Sequence, residues 1–158
     1  MDNSYYWLKS LHLLGVVMFL GNIIVTGWWK TMADRTRNSA IIAFAQRQVT
    51  LTDWIFTAGG VLLILVGGLG NAMLHHIDYL HTYWLSWGLW LFVASGLIWA
   101  AILVPVQIAQ GRIARKFAGS GEIPARYWQL GRWWLVFGTL ATLLPLMNLY
   151  WMVFKPAA

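Results

Sequence analysis

The sequence contains no cysteine, which excludes disulfides, thiolate metal sites and cysteine nucleophiles. It is also poor in charge. Only 10% of its 158 residues are Asp, Glu, Lys or Arg, whereas a soluble domain carries about a quarter. Acidic residues are the scarcest, 5 against 11 Lys and Arg, for a net charge of +6. With 4 prolines there is little to interrupt long helices. What is present instead is 59% hydrophobic residues, 12 tryptophans and a mean hydropathy of +0.61. This is the composition of an integral membrane protein. At ~20 residues per span, the chain has room for four spans in a single domain, 1–158, and for no separate soluble domain. The first apolar run does not read as a cleavable signal, because Asp2 precedes it, no basic segment does, and the run is too long.

The fold expected is all-α: a four-helix transmembrane bundle with helices at about 5–29, 51–74, 84–104 and 127–154. Pro105 is expected to end the third. Two further segments, Ala40–Gln48 and Gln107–Phe117, read as short amphipathic helices lying at the membrane interface, the first capped by Asn38-Ser39. Asp53 is expected in the first turn of the second helix, where a carboxylate suits the helix dipole. Two basic hairpins suggest a 2+2 arrangement of the spans.

Charge sets the orientation. Lys30, Arg35, Arg37 and Arg47 lie in the first connection, and Arg112, Arg115, Lys116, Arg126 and Arg132 in and just after the third. Only Lys9 and Lys155 lie on the other side. The positive-inside rule puts the basic connections in the cytoplasm and both termini outside. The positive charge is therefore a topology signal rather than a nucleic-acid signal. Basic amphipathic segments also attract anionic lipid.

Polar residues inside apolar runs are costly and mark functional or packing faces. His12, Gly15, Asn22 and Thr26 share one stripe of the first helix. Asp53, Thr57, Gly60, Gly67, Asn71 and His75 share one stripe of the second. With both termini outside, His12 lies ~10 Å below the outer boundary, about seven residues at 1.5 Å each. Asn71 and Asn148 fall at similar depth, with His75 and His76 nearer the surface. Ten tryptophans fit interfacial belts, while Trp90 and Trp99 sit deep enough to wall a pocket.

Three readings of this constellation stand side by side. His12 with His75 or His76 would hold a haem b between helices, with the glycines making room for the macrocycle, Asn71 and Asn148 as supporting donors and Lys9 one turn away. Alternatively His12, His75, His76 and Asp78 would bind copper or zinc. Or His12 only hydrogen-bonds within the bundle, to Asn71 or Asn148, of a non-catalytic subunit that anchors a larger complex. A redox or subunit partner and an oligomer fit the first and last readings. The glycines alone favour plain helix contact.

The runs YYWLKSLHLLGVVMFLGNIIVTGWW, LTDWIFTAGG, LIWAAILVPVQ and YWMVFKP resemble the bacterial membrane proteins called domain of unknown function 2269, over nearly the whole chain. That resemblance implies four membrane helices and leaves the activity open. The Lys-Ser-Leu-His at Lys9–His12 and the closing Lys155-Pro156 are also similar, more distantly, to membrane protoporphyrinogen oxidases and to copper-resistance D proteins. The oxidase resemblance implies a haem-associated role for His12. It does not extend to the third helix, where Gly88 and Trp99 stand at the oxidase lysine and Tyr-His positions.

The orientation is testable in intact cells. Single cysteines at Ser39 or Ser120 are expected to resist a membrane-impermeant thiol reagent, and one at Thr82 to react. Ready labelling at Ser39 or Ser120 with none at Thr82 would reverse the topology.

Overall fold

The computed structural model describes residues 3–119 and 121–156, so Asp2 and Ser120 lie outside the described residues. All regular structure among them is helical. Four continuous helices are long and apolar enough to cross a membrane: α1 Ser4–Arg35, α2 Ser39–Leu74, α3 Tyr83–Phe117 and α4 Ala125–Phe154. Asn38 caps α2, its Oδ1 accepting from the backbone N–H of Ala40 at 3.0 Å and of Ile41 at 3.2 Å.

The helices are longer than expected from the apolar runs. At 1.5 Å per residue, the 36 residues of α2 cover ~54 Å, well beyond a ~30 Å hydrocarbon layer. The segments Ala40–Gln48 and Gln107–Phe117 are not separate interfacial helices. They continue α2 and α3 past the apolar spans and pack on each other and on the start of α4. Their apolar faces close a small core of Ile42, Ala114, Phe117 and Tyr127, flanked by Ile113, Ile123 and Trp128. The basic residues Arg47, Arg112, Arg115 and Arg126 stay exposed around this helical head.

Two wide π turns explain how the helices run on. One spans Asp53–Ala58 in α2, the other Trp99–Leu103 in α3. A proline ring clashes with the carbonyl four residues back and donates no bond to it. For Pro105 that carbonyl is Ala101, inside the π turn, where bonding already steps to i+5. Pro105 therefore does not end α3. Asp53 is likewise in mid-helix rather than in a first turn, so the helix dipole does not account for it.

Within the spans the helices form two tight pairs, α1 with α2 and α3 with α4. Glycine makes the first pair possible. A Cβ on Gly15 would lie 2.7 Å from the Gly60 carbonyl oxygen, and one on Gly67 would lie 2.5 Å from the His12 amide nitrogen and the Leu8 carbonyl oxygen. Backbone thus meets backbone, as small residues permit between membrane helices. In the second pair the Asn148 Nδ2 donates to the Gly88 carbonyl at 3.0 Å, and the Ser95 hydroxyl donates to the Ala141 carbonyl at 2.7 Å. The span portions of α2 and α3 make no close backbone approach among the described residues. The pairs are joined chiefly at the basic end, and a gap lies between them.

Gly67→Ala is expected to force α1 and α2 apart and to cost about 1–3 kcal/mol, the range for overpacked sites. Gly111→Ala meets nothing within 4 Å and is expected to be neutral or to stabilise by up to ~1 kcal/mol through helix propensity. Thermal unfolding in mild detergent checks both. Equal melting of wild type and Gly67→Ala would contradict the close approach.

Candidate functional site

The inner half of the α1–α2 contact is polar, and its hydrogen bonds run one way. The Thr26 hydroxyl donates to Asn22 Oδ1 at 3.1 Å. Asn22 Nδ2 donates to Asp53 Oδ1 and to Thr57 Oγ1, each at 2.9 Å. The Thr57 hydroxyl donates to the same Asp53 oxygen at 3.1 Å. Gln107, reaching across from α3, lies beside Asp53, and the two border the same space. Asp53 is the acceptor at the end of the chain. No Lys, Arg or His among the described residues pairs with it.

Above this floor the gap between the helix pairs encloses a cavity of about 650 Å³. Its walls are apolar and come from all four helices: Phe19 and Ile23 on α1, Val61 on α2, Phe92 and Leu103 on α3, Trp134 and Leu143 on α4. Gly96, Ala100, Leu135 and Thr139 line it too and are exposed on the flank of the bundle, so the cavity opens sideways. In a bilayer that side faces lipid. A second void, of about 20 Å³, lies beyond Asp53, Trp54, Trp99 and Gln107, which border both spaces. The rings of Trp54 and Trp99 meet edge to face with centroids 6.2 Å apart. Two buried polar atoms here have no partner, the Trp99 indole N–H and Gln107 Oε1. Both π turns sit at this level, a distortion frequent at functional sites.

A second polar centre closes the basic end. Lys30 is 1% exposed and its Nζ donates to Asp34 Oδ2 at 2.7 Å and to the Tyr127 hydroxyl oxygen at 3.2 Å. Tyr127 donates in turn to Asp34 Oδ1 at 2.8 Å. The ammonium also lies 5.2 Å from the ring centroids of Tyr127 and Trp134, within cation–π range. Every partner is satisfied, which makes this a structural tie between α1 and α4.

The residues singled out from the sequence are mostly elsewhere. His12 lies in the α1–α2 contact, where its Nδ1 donates to the Ile64 carbonyl at 2.9 Å and its ring fills the notch left by Gly68. The glycine stripe therefore receives helix α1, and it leaves no slot for a flat ring between the two helices. His75 Nδ1 donates to the Asn71 carbonyl at 3.0 Å, its ring edge-on to Tyr5. His76 is exposed at a positive φ of 52°, and Lys9 is exposed with its Nζ 3.4 Å from the Tyr5 hydroxyl. The Asn71 and Asn148 Oδ1 atoms are buried and unpaired. Among the described residues no three His, Asp or Glu side chains gather as a metal site. Trp99 does wall a cavity, whereas Trp90 is 64% exposed on the bundle surface.

In the outer loop His81 Nδ1 lies 2.7 Å from Asp78 Oδ2. That bond, helped by the Leu80 and His81 amides, holds the Asp78 carboxyl below the usual carboxylate range. A carboxyl lowered by folding contributes stability above its unfolded value, lost as pH falls through the folded one. The contact is thus intact at neutral pH, though exposed and screened.

Lys30 yields a prediction. Asp34→Asn leaves the buried ammonium short of its counter-charge and is expected to cost about 3–5 kcal/mol. Lys30→Met combined with Asp34→Asn is expected to recover most of that. A double-mutant cycle on thermal stability reads the coupling, and additive losses would contradict a buried pair.

Residues 6–156 match the family described as predicted integral membrane protein (DUF2269). Neither a curated protein nor a solved structure matches the chain. The match covers all four candidate spans and both sides of the Asp53 cavity. With four apolar helices and this match along nearly its whole length, the chain belongs to the DUF2269 family of integral membrane proteins.

Proposed function

We propose that this protein binds a small amphipathic molecule taken from the bilayer, in the cavity between its two helix pairs. The observation that carries the reading is the cavity of about 650 Å³ with apolar walls and, at one end, the Asp53 carboxylate beside Gln107 and Trp99. Ligand sites have this size and this division of labour: apolar area supplies affinity and a few polar groups fix orientation. The lateral opening suits a ligand that arrives through the membrane. The charge asymmetry supports a bacterial inner-membrane location with the basic head in the cytoplasm. The exposed arginines of the head suit anionic lipid headgroups, at ~1 kcal/mol per residue close to the surface.

One observation favours haem b as a second reading. A carbonyl bond at His12 Nδ1 leaves Nε2 with its lone pair, the tautomer that iron ligation requires. A macrocycle on that nitrogen would have to lie outside the closed α1–α2 contact. Under this reading, protein expressed with haem supplied carries a Soret band, and His12→Ala loses it. Colourless wild type, or a variant with full haem content, excludes it.

The cavity reading has its own test. A Cβ at Gly96 or Gly138 meets nothing within 4 Å, and both line the cavity. Gly96→Leu and Gly138→Leu therefore fill the space without displacing backbone. Wild type in nanodiscs is expected to bind the neutral fluorophore N-phenyl-1-naphthylamine saturably above the empty-disc background, and both variants to lose that binding. Saturable binding that survives both substitutions would place it elsewhere.

A further inference from the structure

We infer that the occupant of this cavity carries a positive charge, so that the ligand class is lipophilic amines and oniums with Asp53 as their counter-charge. The inference rests on the cavity reading above and adds the chemistry of the head group. The donors around Asp53 are hydrogen-bond donors only. Thr57 and Asn22 approach its oxygens, and neither brings a charge. Two carboxylates do have ion-pair partners, Asp34 with Lys30 and Asp78 with His81. Asp53 has no such partner among the described residues, although it lies half-buried in the middle of the membrane-length helix α2. An ionised group there is expensive unless paired.

The remaining floor groups suit a cation as well. Gln107 borders both voids beside Asp53, and its amide oxygen is an acceptor of the kind a protonated amine satisfies. Trp54 and Trp99 border the same floor, and aromatic rings beside a carboxylate are how proteins hold organic cations. Among the described residues no Lys or Arg lines either void, so no side-chain cation there competes for the place. An oxygen elsewhere on the ligand would take the Trp99 indole N–H. The apolar walls then bury the body of the molecule, which separates this class from hydrated metal ions.

Two probes of nearly equal shape isolate the charge: methyltriphenylphosphonium, a cation, and triphenylphosphine oxide, neutral with an oxygen acceptor. Binding of each to protein in nanodiscs is measured against empty discs of the same lipid. Wild type is expected to hold the cation about tenfold or more tighter than the oxide, a modest return for pairing a buried charge. Asp53→Asn keeps the shape and the Asn22 contact. It is expected to weaken the cation about tenfold and leave the oxide within about twofold. Oxide binding as tight as the cation, or cation affinity unchanged in Asp53→Asn, overturns the inference while the cavity reading stands. Absence of saturable binding by either probe overturns both. The comparison of the two probes on wild type needs no variant, so a poorly folding Asp53→Asn does not remove the test.

Discussion

A carboxylate inside a membrane helix must be given donors, and the fold around Asp53 is arranged to supply them. Asn22 can reach it only because α1 and α2 run at backbone contact, which in turn requires Gly15, Gly60 and Gly67. Hydrogen bonds to a charged group contribute about 1.5–3 kcal/mol each, and an unmet buried charge costs more. Thr26 and Thr57 extend the same network, orienting the Asn22 amide so that both of its bonds point at the second helix. Polarity and close packing are thus one feature of the α1–α2 pair.

The tightness of the two pairs leaves the middle of the molecule open. Small residues draw α1 to α2, while Gly88 with Asn148 and Ser95 with Ala141 draw α3 to α4. Nothing equivalent draws α2 to α3. The pairs are instead tied below the cavity, by Lys30 with Asp34 and Tyr127 and by the apolar core of the head. Gln46 of α2, with Nε2 3.4 Å from the Gln107 carbonyl of α3, adds a weaker tie at the same level. A clamp at one end and a gap at the other yield a laterally open site with a polar floor.

Much of the fold was legible in the sequence because apolar length and charge position are strong signals in a membrane protein. The four spans, the Asn38 cap and the two polar stripes all reappear in the structure. The stripes meet face to face, Gly15 on Gly60 and Asn22 on Asp53. What failed was the ends of the helices. Pro105 reads as a stop, and no local pattern shows that a π turn just before it removes the clash. Histidines are conspicuous in an apolar chain and mark the outer half, where the structure puts His12 in a helix contact. Asp53 had an adequate local explanation as a first-turn acid, which vanished once the helix was seen to continue through it. Gln107 and Trp99 became informative only in three dimensions, because an unpartnered atom has no sequence signature. Trp99 was at least marked by its depth.

The central claim is that the space beside Asp53, and not the seam between α1 and α2, is where a ligand sits. Crystals grown with an iodinated triphenylphosphonium test it directly, since iodine scatters anomalously and marks its own position. The account predicts one dominant anomalous peak inside the cavity walled by Phe19, Phe92 and Trp134, with the phosphonium toward Asp53. A peak against His12, or peaks only on the outer surface of the bundle, would contradict it.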